Sequence, residues 1–158
     1  MIAPKITGIA LFFLLFVMAC SEGNTDGSTD TFNKEAMLLN MAKNIIRPNY
    51  TTLQTSLETL DDALAIYIDS ASVEQLQVIR TAFLSAYSNW QHCAVFEFGP
   101  AFDHQLRVNL NTFPTDITQI GQNIQEGKPF DLSLAANIDA KGFPALDYML
   151  FGIANNIN

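Results

Sequence analysis

The chain has 158 residues, 16 acids against 8 bases and a formal net charge of −8, enough for one domain of ordinary size. This acidic balance argues against nucleic acid or anionic lipid headgroups as partners of the folded part. It leaves a cationic ligand compatible but not required.

The first 19 residues do not belong to the folded domain. Lys5 supplies a positive start, and Ile9 to Met18 is an unbroken apolar run. That run is shorter than the roughly 20 residues a membrane-crossing helix needs, and it has the length of a signal-peptide core. Val17-Met18-Ala19-Cys20 then has the order of a lipobox: aliphatic, tolerant, small, cysteine. The reading is a lipoprotein signal at residues 1–19 with Cys20 as the site of lipid attachment. Acyl chains such as palmitate on Cys20 would hold the protein to a membrane without any basic surface. Ser21 to Thr31 carries no apolar residue, so residues 20–32 are expected to form a flexible tether. Removing residues 1–19 takes away one lysine and no acid, leaving 7 bases, 16 acids and a net charge of −9. With Cys20 lipidated, Cys93 is left alone on an apolar helical run and is expected to be a buried thiol. The expected location is the cell envelope, facing the periplasm or the exterior. Ser21 after the cysteine favours the outer membrane.

Residues 33–158 read as an all-α domain, an up-down helical bundle. Leu38, Ala42 and Ile45 mark a first helix that Arg47-Pro48 is expected to stop. A second runs from about Tyr50 to Ile68, with Leu53, Leu57, Leu60, Leu64 and Tyr67 as its apolar stripe. Ser72, with Gln75 three residues on, opens a third as a capping box. Its stripe is Leu76, Ile79, Phe83, Tyr87, Trp90 and Ala94, and Phe98-Gly99-Pro100 ends it. The short link makes these two helices antiparallel neighbours.

The second half is less regular. Ala101 to Asn111 fits either a helix or a folded loop, and Phe113-Pro114 is a break. Thr115 is expected to cap a helix from Asp116 to Gln125, ended by Gly127 and Pro129. A short helix over Leu132 to Ile138 follows. Lys141-Gly142 opens the last, Phe143 to Phe151, with Pro144 in its first turn, where a missing N–H costs little. No alternating strand of useful length is present.

Standard catalytic patterns are missing: there is no phosphate-binding glycine loop, no CxxC pair and no HExxH helix. His92 and His104 are the only histidines, too few for a multi-histidine metal site. Asp103 and His104 are adjacent and would point about 100° apart on a helix. Asp147, one turn into the last helix and three residues after Pro144, reads either as a solvated acid or as a pocket residue. Asp116 reads as a first-turn structural acid or as part of the same polar site.

Three segments, WQHCAVFEFGPAFD (Trp90 to Asp103), NTFPTDITQIGQNI (Asn111 to Ile124) and GFPALDYMLFG (Gly142 to Gly152), resemble the imelysin family in order and approximate spacing. The resemblance implies an exported helical protein built from two bundles, of which this chain would be the N-terminal portion, incomplete at its C-terminus. It implies a link to iron or haem uptake, with iron or haem as the ligand and an iron-uptake or other outer-membrane protein as a partner. The family was named for a proposed metallopeptidase activity and carries a Gly-x-His-x-x-Glu motif. Here Gly142 matches the glycine, Pro144 stands at the histidine and Asp147 at the glutamate. Proline cannot bind metal, and a metal-activated water needs several ligands. The expectation is therefore a non-catalytic binding lipoprotein; a docking lipoprotein and a metal-dependent peptidase are the alternatives.

Overall fold

The computed structural model describes residues 32–127 and 131–152, and among them every regular element is helical and no strand occurs. The expected signal at residues 1–19, Cys20, the tether up to Thr31 and Pro129 lie outside the described residues. Contacts divide the chain into Met1–Asn33 and a unit from Lys34 onward. Of the first, only Phe32 and Asn33 are described, both exposed; all that follows concerns the second.

Helix α1 (Lys34–Met41) does not end near Arg47-Pro48. It passes through a π-helical turn, Ala42–Ile46, directly into α2 (Arg47–Asp69). A proline inside a helix removes one N–H and pushes against the carbonyl four residues back. The wider turn, in which the Arg47 N–H donates to the Ala42 carbonyl, precedes Pro48 and lets the chain continue.

A three-residue link joins α2 to α3 (Val73–Cys93). The Ser72 hydroxyl accepts from the Gln75 N–H at 3.1 Å, as the sequence predicts for this cap. The two helices pack along Leu53, Leu60 and Ala63 on one side and Ile79, Phe83, Ala86, Trp90 and Cys93 on the other. The expected stripes are only partly the buried ones. Leu57, Leu64 and Tyr67 are half-covered, while Ser56 and Ala63 are buried. Ser56 satisfies its hydroxyl by donating to the Leu53 carbonyl at 2.8 Å. On the buried face small residues, Ser56, Ala63, Ala82 and Ala86, alternate with the large ones. Cys93 is buried, as expected, and burial pushes its thiol pKa up.

The region from Ala101 to Asn111 resolves into two short helices, α4 (Pro100–Asp103) and α5 (Leu106–Leu110). Gln105 between them takes a left-handed conformation, φ +49°. Arg107 pairs with Glu97 at 2.6 Å and donates to the Ala94 carbonyl at 3.0 Å, tying α5 to the end of α3.

Helix α6 (Ile117–Glu126) is capped by Asp116 and not by Thr115. The Asp116 carboxylate accepts from the N–H groups of Thr118 and Gln119, each at 2.9 Å. Thr115 donates instead to the Asp139 carbonyl at 2.7 Å. Where a helix over Leu132 to Ile138 was expected, only a 3-10 turn forms, Ala135–Asn137. The buried Asn137 accounts for its irregular path: its amide accepts from Asn123 and donates to the Asp131 carbonyl. The last helix, α7 (Gly142–Asp147), gives way to a π turn, Tyr148–Gly152. Among the described residues no helix is long and apolar enough to cross a membrane.

Candidate functional site

Helix α7 is held at its start by backbone geometry. Gly142 has φ +78°, and a Cβ built on it would lie 2.5 Å from the Leu110 carbonyl oxygen and 3.0 Å from that of Asn109. Only glycine admits this approach of α7 to the end of α5. The preceding Lys141 donates from Nζ to the Asn109 side-chain oxygen at 2.8 Å and to the Leu132 carbonyl at 2.9 Å. At the far end, Arg80 Nε of α3 donates to the Leu150 carbonyl at 2.8 Å, with its guanidinium over the Phe151 ring.

With α7 so placed, Phe143 enters the core between Tyr87, Phe83 and Trp90, at ring-centroid distances of 5.2, 6.1 and 6.3 Å. Ala145 faces Ile120 of α6 and Ala140. The remaining face of the helix borders a cleft of about 570 Å³, a size that suits a small organic ligand. Pro144 and Asp147, three residues apart, both line it, and so does Tyr148 at the next helical spacing. The other walls are Phe83 and Tyr87 from α3, Asn111, Phe113 and Thr115 from the segment after α5, Phe143, and Gly152.

Gly142 shapes the cleft from behind without lining it. Asp116 is not among the lining residues; its carboxylate is engaged at the start of α6, while its neighbour Thr115 reaches the wall. The two acids singled out in the sequence are therefore not brought to one surface. His92 and Asp103 are exposed, and His104 borders a separate apolar recess with Tyr50, Phe96 and Leu106. The aromatic walls were not anticipated as site residues. Tyr148 could have been found from its spacing of four after Pro144. Tyr87 and Phe113 could not, because they reach the cleft from distant points of the chain.

The donors on this cleft do not match a catalytic metal site. Among the described residues Asp147 is its one carboxylate, no imidazole or thiolate faces it, and Pro144 offers nothing to a metal. Among the described residues no group of three or more His, Cys, Asp or Glu side chains converges on a possible ion.

The sequence and the helical fold are both shared with known proteins. The family model for imelysin matches residues 46–157, and the chain belongs to that family. It is 23% identical over 125 residues to iron-regulated protein A of Synechococcus elongatus, covering 79% of this chain and 34% of that protein. Its fold is similar to the crystal structure of an imelysin peptidase from Bacteroides ovatus, with a TM-score of 0.60 at 20% identity, over 66% of this chain and 32% of the other. The chain thus spans about a third of the length of these relatives.

Proposed function

We propose that this imelysin-family protein is a non-catalytic binding lipoprotein of the cell envelope, serving iron or haem acquisition, with its ligand held in the cleft beside Pro144 and Asp147. The observation that carries the reading is the state of the motif helix. It still borders a ligand-sized cleft, yet the position of the family histidine holds a proline. Such a site can bind and position but lacks the ligand set that activates water. The similarity to an iron-regulated protein supports the link to iron.

Anchoring through acyl chains on Cys20, with outer-membrane placement favoured by Ser21, completes the proposal. Titration of the purified protein with iron salts and with haem is the direct test; no saturable binding of either refutes the assignment. A peptide-library assay with and without chelator is expected to give no chelator-sensitive cleavage, and such cleavage would restore the peptidase alternative. Labelled palmitate is expected to enter the protein but not its Cys20→Ser variant.

A second reading, a lipoprotein that docks an outer-membrane partner, is favoured by one feature. Val73 and Leu84 stand exposed on the same side of α3, about three turns apart. Recovery of one reproducible partner from detergent-solubilised envelope supports it, and loss of that partner on Leu84→Glu would assign the surface.

A further inference from the structure

The cleft beside Asp147 combines aromatic rings and one carboxylate with the neutral side chains of Asn111 and Thr115, the Thr115 hydroxyl already donating to the Asp139 carbonyl. Tyr87 and Phe143 meet at 5.2 Å with their planes at 45°, and Phe83 stacks on Tyr87 at 6.0 Å. Phe113, 84% exposed, stands at the edge, and Tyr148 adds a further ring. Aromatic faces carry the negative part of the ring quadrupole and attract a cation placed over them. Asp147 adds a carboxylate, and among the described residues no lysine or arginine lines the cleft.

These features discriminate among ligand classes. An anion would meet a carboxylate and ring faces with no charged donor to hold it. A small hydrated divalent ion takes six or more oxygen ligands or retains its water, and here it would find one carboxylate and apolar walls. A neutral apolar ligand would press Asp147 out of water without giving it a partner, which costs free energy. A weakly hydrated organic cation satisfies both parts of the surface, offering apolar area to the rings and charge to the carboxylate.

We propose that this cleft binds an organic cation with an alkylated ammonium head, its methyl groups against Tyr87, Phe113 and Tyr148 and its charge balanced by Asp147. The inference rests on the reading that this cleft is the ligand site. It keeps the cleft as the ligand site but puts an organic cation, in place of iron or haem, as the occupant that the walls select.

The test is an amide-resonance NMR titration of the purified protein with choline and with its neutral isostere, 3,3-dimethylbutan-1-ol. Choline is expected to shift the amides of Phe143, Asp147 and Tyr148 saturably and to bind about tenfold tighter than the isostere. Asp147→Asn, an exposed and conservative change, is expected to remove most of that preference while leaving the isostere's binding unaltered. Tyr87→Leu is expected to weaken choline more than the isostere. Equal binding of the two probes, or no shift of those amides by choline, overturns the proposal. If iron salts or haem perturb the same amides and choline does not, the ligand-site reading stands and the organic-cation inference fails. If choline saturates there while iron salts and haem bind nowhere, the inference stands and the iron reading fails.

Discussion

Replacing Gly142 by alanine tests the feature on which the position of α7 depends. Two costs combine. At φ +78° an L side chain is strained, by about 1–2 kcal/mol. The new methyl would also lie 2.5 Å from the Leu110 carbonyl oxygen and 2.7 Å from its carbonyl carbon. These are backbone atoms that cannot rotate aside, so α5 and α7 must separate, with an overpacking cost of about 1–3 kcal/mol. Together the variant is expected to lose about 2–5 kcal/mol, a large share of a domain's stability. Two other glycines isolate the terms. Gly127 has φ +56° but nothing within 4 Å of a built Cβ, so Gly127→Ala carries only the conformational cost. Gly121 sits inside α6 with open space around it, so Gly121→Ala is expected to stabilise by about 0.5–1 kcal/mol. Denaturant unfolding followed by far-ultraviolet circular dichroism gives all three. Gly142→Ala no more damaging than Gly127→Ala would refute the argument that close approach to Leu110 positions the helix.

Asp116→Ala is expected to cost about 1 kcal/mol through the lost cap of α6, with ligand affinity in the cleft unchanged; a marked loss of affinity would make Asp116 a site residue after all. Arg80→Met removes a charged donor from the Leu150 carbonyl and is expected to cost about 1.5–3 kcal/mol in the same unfolding assay; an unchanged midpoint would show that the link is dispensable. Stability is also expected to fall in alkali. Burial raises the pKa of the Cys93 thiol above its ordinary 9.0 and that of the Tyr50 phenol above 10.0, the latter helped by the nearby Cys93 and Glu97. Both groups ionise first in the unfolded chain, so their contribution is complete below the ordinary values and is lost as pH rises through the folded ones. A melting temperature that declines from about pH 9 upward, less steeply in Cys93→Ala, is the expected record; identical slopes would remove Cys93 from the account.

The α2–α3 hairpin was legible because large apolar residues recur at three and four along both helices and Ser72 with Gln75 marks the turn. Its exact contact face was not. Ser56 and Ala63 are buried but carry little hydropathy, so their place on the contact face left no signal, and Leu57 and Leu64 read as more central than they are. Pro48 misled for a related reason: a proline marks a local conflict, and the π turn upstream resolves it without ending the helix. Threonine and aspartate are both cap-forming residue types, and the choice of Asp116 over Thr115 goes with the Asp139 carbonyl, 24 residues from Thr115, to which Thr115 donates. Within the site, Pro144 and Asp147 were legible together because helical spacing alone puts them on one side. Tyr87, Phe113 and the Lys141 contact with Asn109 depend on which segments meet, and that information is not local.

The supports of α7 are separate from the residues that give the cleft its chemistry. Gly142 lies against Leu110, Lys141 reaches Asn109 and Leu132, Phe143 fills the core, and Arg80 holds the Leu150 carbonyl. None of these contacts involves the side chains at positions 144 and 147. Proline in the first turn gives up only an N–H that had no helical partner, so its presence there leaves the frame intact. The metal-binding capacity of the motif can therefore be absent while the helix, its orientation and the cleft persist. On the proposed reading of the cleft as the ligand site, selection falls to the surrounding rings and one carboxylate, so the identity of residues 87, 113 and 148 is expected to bear on binding as much as the motif itself.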